Sequence, residues 1–120
     1  MRALVVDDSS AMRSILRITL KGQGFEVLEA KHGLHALEVL AGADQVDLAF
    51  IDWNMPVMNG FELLQKIRQE SKYDHMQIVM VTTETGATQM SEAISAGANE
   101  YIMKPFTLDV VIDKLRLTGL

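Results

Sequence analysis

Short apolar runs alternate along this chain with longer stretches in which apolar residues recur every three or four positions. The runs fall at residues 3–6, 25–29, 48–51, 78–81 and 100–102. Three of them are nearly continuous, the pattern of strands covered on both faces. Between them the spacing predicts five helices. The first carries Met12, Ile15, Leu16, Thr19 and Leu20 on one face, with Ser9 or Ser10 as N-cap and Gly22 or Gly24 as stop. The second is shorter, with a stripe of Leu34, Leu37 and Ala41 bracketed by Gly33 and Gly42. Phe61, Leu64 and Ile67 mark a third after Asn59-Gly60, and Ala87, Met90 and Ile94 a fourth ending at Gly97. Leu108, Val111, Ile112 and Leu115 give the fifth, capped by Thr107.

Five strands alternating with five helices through right-handed crossovers make an α/β protein with a doubly wound, five-stranded parallel sheet. The flavodoxin-like strand order 2-1-3-4-5 fits this (βα)5 pattern, with its reversal between strands 1 and 3. Ligands of such sheets bind beyond the carboxyl ends of the strands. Four runs of this chain end there in a polar residue suited to phosphoryl chemistry: Asp7-Asp8, Asp52, Thr82 and Lys104. Parallel pairing would turn four separate junctions into one site.

Composition narrows the chemistry. A chain of 120 residues has room for one domain, 1–120, and with no cysteine it has neither a disulfide framework nor a thiolate metal site. No stretch approaches a membrane span or a signal-peptide core, which leaves the cytoplasm as the expected location. A formal net charge of −5 argues against binding nucleic acid through this segment alone. No linker or low-complexity tract interrupts the sequence, so it reads as a complete, free-standing module.

Carboxylates crowded at one strand edge repel one another unless a cation intervenes. Magnesium suits a small, open acidic cluster, because it accepts one or two protein carboxylates and keeps several waters. Beside such an ion one carboxylate can attack phosphorus, and an ammonium and a hydroxyl supply the remaining charge neutralisation and positioning. Lys104 and Thr82 are of the right type. Singly, each residue has an ordinary explanation: Asp7, Asp8 or Ser9 as a helix cap, Asp52 as a turn residue before Asn54 and Pro56, Thr82 as a cap hydroxyl and Lys104 as a solvated lysine. Their joint occurrence at strand ends favours a site.

Four segments carry a resemblance that covers nearly the whole chain: Val5-Val6-Asp7-Asp8-Ser9, then Ile51-Asp52-Trp53-Asn54-Met55-Pro56-Val57-Met58-Asn59-Gly60, Val81-Thr82-Thr83-Glu84 and Tyr101-Ile102-Met103-Lys104-Pro105-Phe106. In this order and spacing the chain resembles the receiver domain of two-component response regulators, most of all the free-standing chemotaxis regulators. The resemblance implies a signalling switch, not a metabolic enzyme, with Asp52 as phosphoacceptor. It implies Mg2+ held directly by Asp8, Asp52 and the carbonyl of Asn54, with Asp7 acting through water, and phosphoryl oxygens held by Thr82 and Lys104. The implied donor is a phosphohistidine of a sensor histidine kinase, with small acyl phosphates as substitutes. Asn54 and Glu84 occupy positions that tune self-dephosphorylation, in a pairing that a separate phosphatase can assist. Thr82 and Tyr101 would carry the switch to a partner face on helix 4, strand 5 and helix 5, residues 86–117, where a flagellar motor switch is one expected target. The Lys104-Pro105 bond is expected to be cis.

Thr83 departs from the small residue usual at its position, and its β-branch is expected to slow both phosphorylation by small donors and spontaneous hydrolysis. Replacement by alanine tests that idea. His32 and His35 are three apart on a presumed helix but lack further ligands, so a solvated face is expected. The methionines read as packing, with Met55 and Met58 on an exposed loop available to a partner. Rival readings fit less well. A haloacid-dehalogenase-type phosphohydrolase would carry an acid where Asn54 stands, and a flavin carrier would need a hydroxyl- and glycine-rich loop where Asp7-Asp8 stand. A receiver cut from a larger regulator and a phosphorelay intermediate remain alternatives.

Overall fold

The computed structural model describes residues 1–83 and 87–120. Its strands are β1 (Arg2–Val6), β2 (Glu26–Ala30), β3 (Leu48–Asp52), β4 (Gln77–Thr82) and β5 (Glu100–Met103). They alternate with helices α1 (Ser10–Gly22), α2 (Gly33–Gly42), α3 (Gly60–Arg68), α4 (Ala87–Ser95) and α5 (Leu108–Leu117), and a single 3-10 turn at Ser71–Tyr73 precedes β4. All strand pairs are parallel and the order is 2-1-3-4-5, as the alternation predicts. The last three strands each run one residue further than the apolar runs. Asp52 pairs with Val81 and Thr82 with Met103, so two polar site residues belong to the ladder itself.

Alternate strand residues sort onto two cores. Ala3, Val5, Leu48, Phe50, Val79, Val81 and Ile102 meet Leu16 and Leu20 of α1 and Val111 and Leu115 of α5. Leu4, Val6, Ala49, Ile51, Ile78, Met80 and Tyr101 meet α2, α3 and α4 on the other face. Burying each of these large side chains contributes about 1.5–3 kcal/mol. The two faces together hold the carboxyl edge of the sheet in register.

Several helices are turned from the faces their bulky residues predict. In α2 the buried residues are Gly33, Ala36 and Leu40, whereas Leu34 is exposed, Leu37 half-buried and Ala41 exposed. In α4 Ala93 is buried while Met90 and Ile94 are exposed, and Ile15 of α1 and Leu108 of α5 are exposed as well. Small residues permit the closest approach to the sheet, so the helix docks on them and its larger neighbours flank the contact. At Gly33 the close neighbour is the loop after β3, where a Cβ would lie 2.8 Å from Met58 Sδ.

That contact also corrects the expectation for the methionine loop. Met55 and Met58 are buried in the α2/α3 core, and Pro56 and Val57 between them are the exposed residues. His32 and His35 form a capping pair. His32 is the N-cap of α2, its Nδ1 accepting from His35 N at 3.1 Å, and His35 Nδ1 accepts from Lys31 N at 3.0 Å. Ser9, Asn59 and Thr107 cap α1, α3 and α5, Asn59 through a reciprocal box with Glu62. Among the described residues no helix is long and apolar enough to cross a membrane.

Candidate functional site

Asp7 follows β1, Asp52 ends β3 and Lys104 follows β5, and the parallel register brings all three to one edge of the sheet. Lys104 Nζ lies 3.2 Å from Asp52 Oδ1 and 3.3 Å from Asp7 Oδ2. Asp7 and Asp52 are almost wholly buried, 2 % and 4 % exposed, and Asp8 is exposed beside them. One ligand oxygen from each of Asp7, Asp8 and Asp52 falls within 4.8 Å of the others, the only cluster of potential metal ligands among the described residues. Thr82 is fully buried on β4, one position beyond the residue paired with Asp52. The three acids and the ammonium come together at one sheet edge, and Thr82 lies on the adjacent strand.

Local structure frees the acids for this role. Ser9 caps α1 by accepting from Met12 N at 3.3 Å, so neither aspartate is consumed as the cap. Asp7 Oδ1 instead accepts the Ser9 N–H at 2.9 Å, which fixes the turn. Arg13 donates from Nη1 to the Asp7 carbonyl at 2.7 Å and from Nε to Glu29 at 3.3 Å. It ties the acidic turn to β2. Sequence reasoning missed Arg13; the available signal was a cation one helical turn beyond an acidic pair.

Gly60, in the sequence a turn former ahead of the third helix, packs directly beneath Asp52. Its N–H donates to Trp53 O at 2.9 Å, and a Cβ would run into the Asp52 carbonyl and the Trp53 Cα. Only glycine lets α3 begin this close to the phosphoacceptor candidate. Trp53 is buried, stacks on Phe61 at 5.2 Å between ring centroids, and its backbone N–H donates to Val81 O at 2.8 Å.

Electrostatically the site is under tension. Burial first, and then the charge of Asp7, raise the Asp52 carboxyl above its ordinary value of 3.8, against the pull of Lys104 and of the Asn54 backbone N–H. Burial alone would lower Lys104, but the charges of Asp52 and Asp7 outweigh it and hold the ammonium above 10.5. One ammonium is thus shared by two buried carboxylates, a third carboxylate stands at the rim, and the cluster favours an additional cation. Three oxygen donors with an open side suit a hard divalent ion that keeps waters.

At the mouth, Asn54 is exposed and donates from Nδ2 to Thr83 Oγ1 at 3.2 Å. Tyr101 is buried on β5, on the same sheet face as Thr82, since its partner Met80 lies two residues before Thr82. The Lys104-Pro105 bond is cis. Glu84 lies outside the described residues. Beyond the site, Met90, Tyr101, Met103, Phe106 and Val110 line an apolar groove of about 440 Å³.

With this geometry in place, comparison with known proteins defines the class. The sequence matches the family model of the response regulator receiver domain over residues 3–116, and the chain belongs to that family. It is 51% identical over 116 residues to a Chemotaxis protein CheY homolog of Campylobacter jejuni, covering 96% of this chain and 89% of that one. It is 47% identical over 118 residues to Chemotaxis protein CheY1 of Helicobacter pylori, covering 98% and 95%. The solved structure of the chemotaxis response regulator CheY4 of Vibrio cholerae superposes with a TM-score of 0.90 at 36% identity, covering 98% of this chain and 97% of that one.

Proposed function

We propose that this chain is a phosphorylation-activated response regulator of chemotaxis, a switch that works by changing its partners. The observation that carries the reading is the Lys104 ammonium within 3.3 Å of both buried carboxylates, Asp7 and Asp52, with Asp8 beside them. An Asp52 oxygen attacks the phosphorus of a phosphohistidine on a sensor histidine kinase. The P–N bond breaks, the imidazole leaves with its electron pair and takes up a proton, and an acyl phosphate remains on Asp52. Lys104 neutralises charge on the phosphoryl oxygens, and the Thr82 hydroxyl donates to one of them. Mg2+ would be held by Asp8, Asp52 and the Asn54 carbonyl, with Asp7 through water, and would supply positive charge to offset the carboxylates and the phosphoryl oxygens.

Phosphorylation biases a two-state equilibrium through Thr82 and Tyr101, which share one sheet face. The output face is the groove between α4, β5 and α5, and a flagellar motor switch is the proposed target because the similar proteins are chemotaxis proteins. Asn54, Thr83 and Glu84 set the lifetime of the phosphorylated state, with a phosphatase able to shorten it. The action is intracellular, as the histidine kinase donor requires.

Trp53 provides the test, since it adjoins Asp52 and its backbone is bonded to β4. Fluorescence should respond to Mg2+ and again to beryllofluoride in the native chain, and the second response should vanish in Asp52→Asn. An equal beryllofluoride response in the variant overturns Asp52 as phosphoacceptor. Release of phosphate from many substrates over multiple turnovers would instead identify a phosphohydrolase.

A further inference from the structure

The geometry points to Thr83 as a positioning residue whose hydroxyl, more than its bulk, holds the Asn54 carboxamide across the entrance to Asp52. The inference rests on the reading of Asp52 as phosphoacceptor and adds what controls access to it. Asp52 is 4 % exposed, and Asn54 and Thr83, both exposed, follow the ends of the paired strands β3 and β4 beside it. Among the described residues, two hydrogen bonds beyond the strand ladder join these strand ends. The inner one is main chain, Trp53 N to Val81 O at 2.8 Å. The outer one is side chain, Asn54 Nδ2 to Thr83 Oγ1 at 3.2 Å.

The Asn54 backbone N–H favours the charged form of the Asp52 carboxylate, and the Asn54 side chain reaches over to Thr83. Both Asn54 and Thr83 are exposed, so their bond satisfies no buried polar group and adds little to stability. What it does is fix a rotor beside the reacting carboxylate. A tethered carboxamide is a standing obstacle at the entrance; a released one turns to solvent and clears it.

The hydroxyl and the bulk of Thr83 make opposite forecasts for two substitutions. Thr83→Val keeps the branched shape and removes the acceptor, whereas Thr83→Ser keeps the acceptor and removes the methyl. With acetyl phosphate and Mg2+, Thr83→Val should speed both phosphorylation of Asp52 and later loss of the phosphoryl group about three- to fivefold, the scale of one hydrogen bond. Serine should largely restore the native rates. A fast serine variant with a native-like valine variant, or native rates in both, overturns the tether. A second readout needs no phosphoryl donor: the side-chain 15N amide pair of Asn54, identified by its loss in Asn54→Asp. It should keep its bonded shifts in the native chain and in Thr83→Ser and move to solvated values in Thr83→Val. An unmoved pair in Thr83→Val also overturns the tether. Failure of the native chain to take a phosphoryl group, with the amide signature as expected, would instead strike the function proposed for Asp52.

Discussion

Two aspartates flank β3, and the strand treats them in opposite ways. Asp47 precedes the amino end, where its carboxylate accepts the Arg2 N–H at 2.9 Å, and that backbone bond holds its pKa below 3.8. Asp52 closes the carboxyl end, where burial and Asp7 push it above 3.8. The cations divide likewise. Lys104 at the carboxyl edge serves two buried carboxylates. Arg68 at the amino edge, on the last residue of α3, contacts neutral oxygens: Gly97 O at 3.0 Å, Tyr73 O at 2.9 Å, Met76 O at 2.8 Å and Asn99 Oδ1 at 3.0 Å. One edge is a satisfied polar network that fastens α3 to β4 and β5. The other keeps like charges close together, with the exposed Asp8 at its rim.

The largest effect expected from breaking this contrast is on stability, at the amino edge. Arg68→Ala removes the donors of three main-chain carbonyls and of Asn99, whose Oδ1 also accepts from Ile78 N at 2.8 Å. Unsatisfied polar groups cost about 1 kcal/mol or more each, so a loss of roughly 2–4 kcal/mol is expected in urea unfolding. The Trp53 response to beryllofluoride should survive in the folded fraction. A loss below 1 kcal/mol would show that water replaces the arginine and that the amino edge is not held by it.

At the carboxyl edge the sign reverses. Because the folded-state pKa of Asp52 is raised, the folded protein binds the proton more tightly than the unfolded chain does. Asp52 therefore lowers stability as pH rises from 3.8 through its folded value, and stays unfavourable at neutral pH without a cation beyond Lys104. Asp52→Asn should raise neutral-pH stability by about 1–2 kcal/mol while abolishing phosphorylation, and Mg2+ should stabilise the native chain more than the variant. Asp47 behaves in the opposite sense: its contribution is present above 3.8 and is lost as pH falls through its lowered folded value. Unfolding curves of Asp52→Asn and Asp47→Asn against pH separate the two cases; parallel curves would refute the difference between the strand ends.

The sequence made these edges legible to different degrees. Asp7, Asp8, Asp52, Thr82 and Lys104 could be placed together because parallel strands align their carboxyl ends, a rule that needs only strand assignments. The amino-edge clamp was not legible, since Arg68 reads as a charge on a helix and its partners are mostly carbonyls, which every residue carries. Helix rotation failed for a related reason. Apolar periodicity finds bulky stripes, whereas α2 and α4 dock through Gly33, Ala36 and Ala93, whose small size permits contact. Gly60 was hidden likewise, because a clash that glycine avoids leaves no mark in the pattern.

Backbone strain follows the same division. Around the amino edge the left-handed turn before β2 is made by Gly24, at φ 92°, with nothing within 4 Å of where a Cβ would lie. In the loop after β3 the residue at φ 70° is Val57, the only non-glycine with positive φ among the described residues, held in a tight turn by Met58 N to Pro56 O at 2.8 Å. A β-branched side chain is disfavoured there by about 1–3 kcal/mol, and since Val57 is 82% exposed its side chain gains little packing in return. Val57→Gly relieves the strain but adds about 0.5–1 kcal/mol of unfolded-state entropy, so a net gain of roughly 0.5 kcal/mol is expected. Gly24→Ala, where only the backbone angle opposes the methyl, should lose about 1 kcal/mol. Opposite shifts of the urea midpoint in the two variants would place the strain on the edge proposed to carry the chemistry. A destabilised Val57→Gly would mean that the valine stiffens the loop enough to outweigh its own angle, and the contrast would then rest on charge alone.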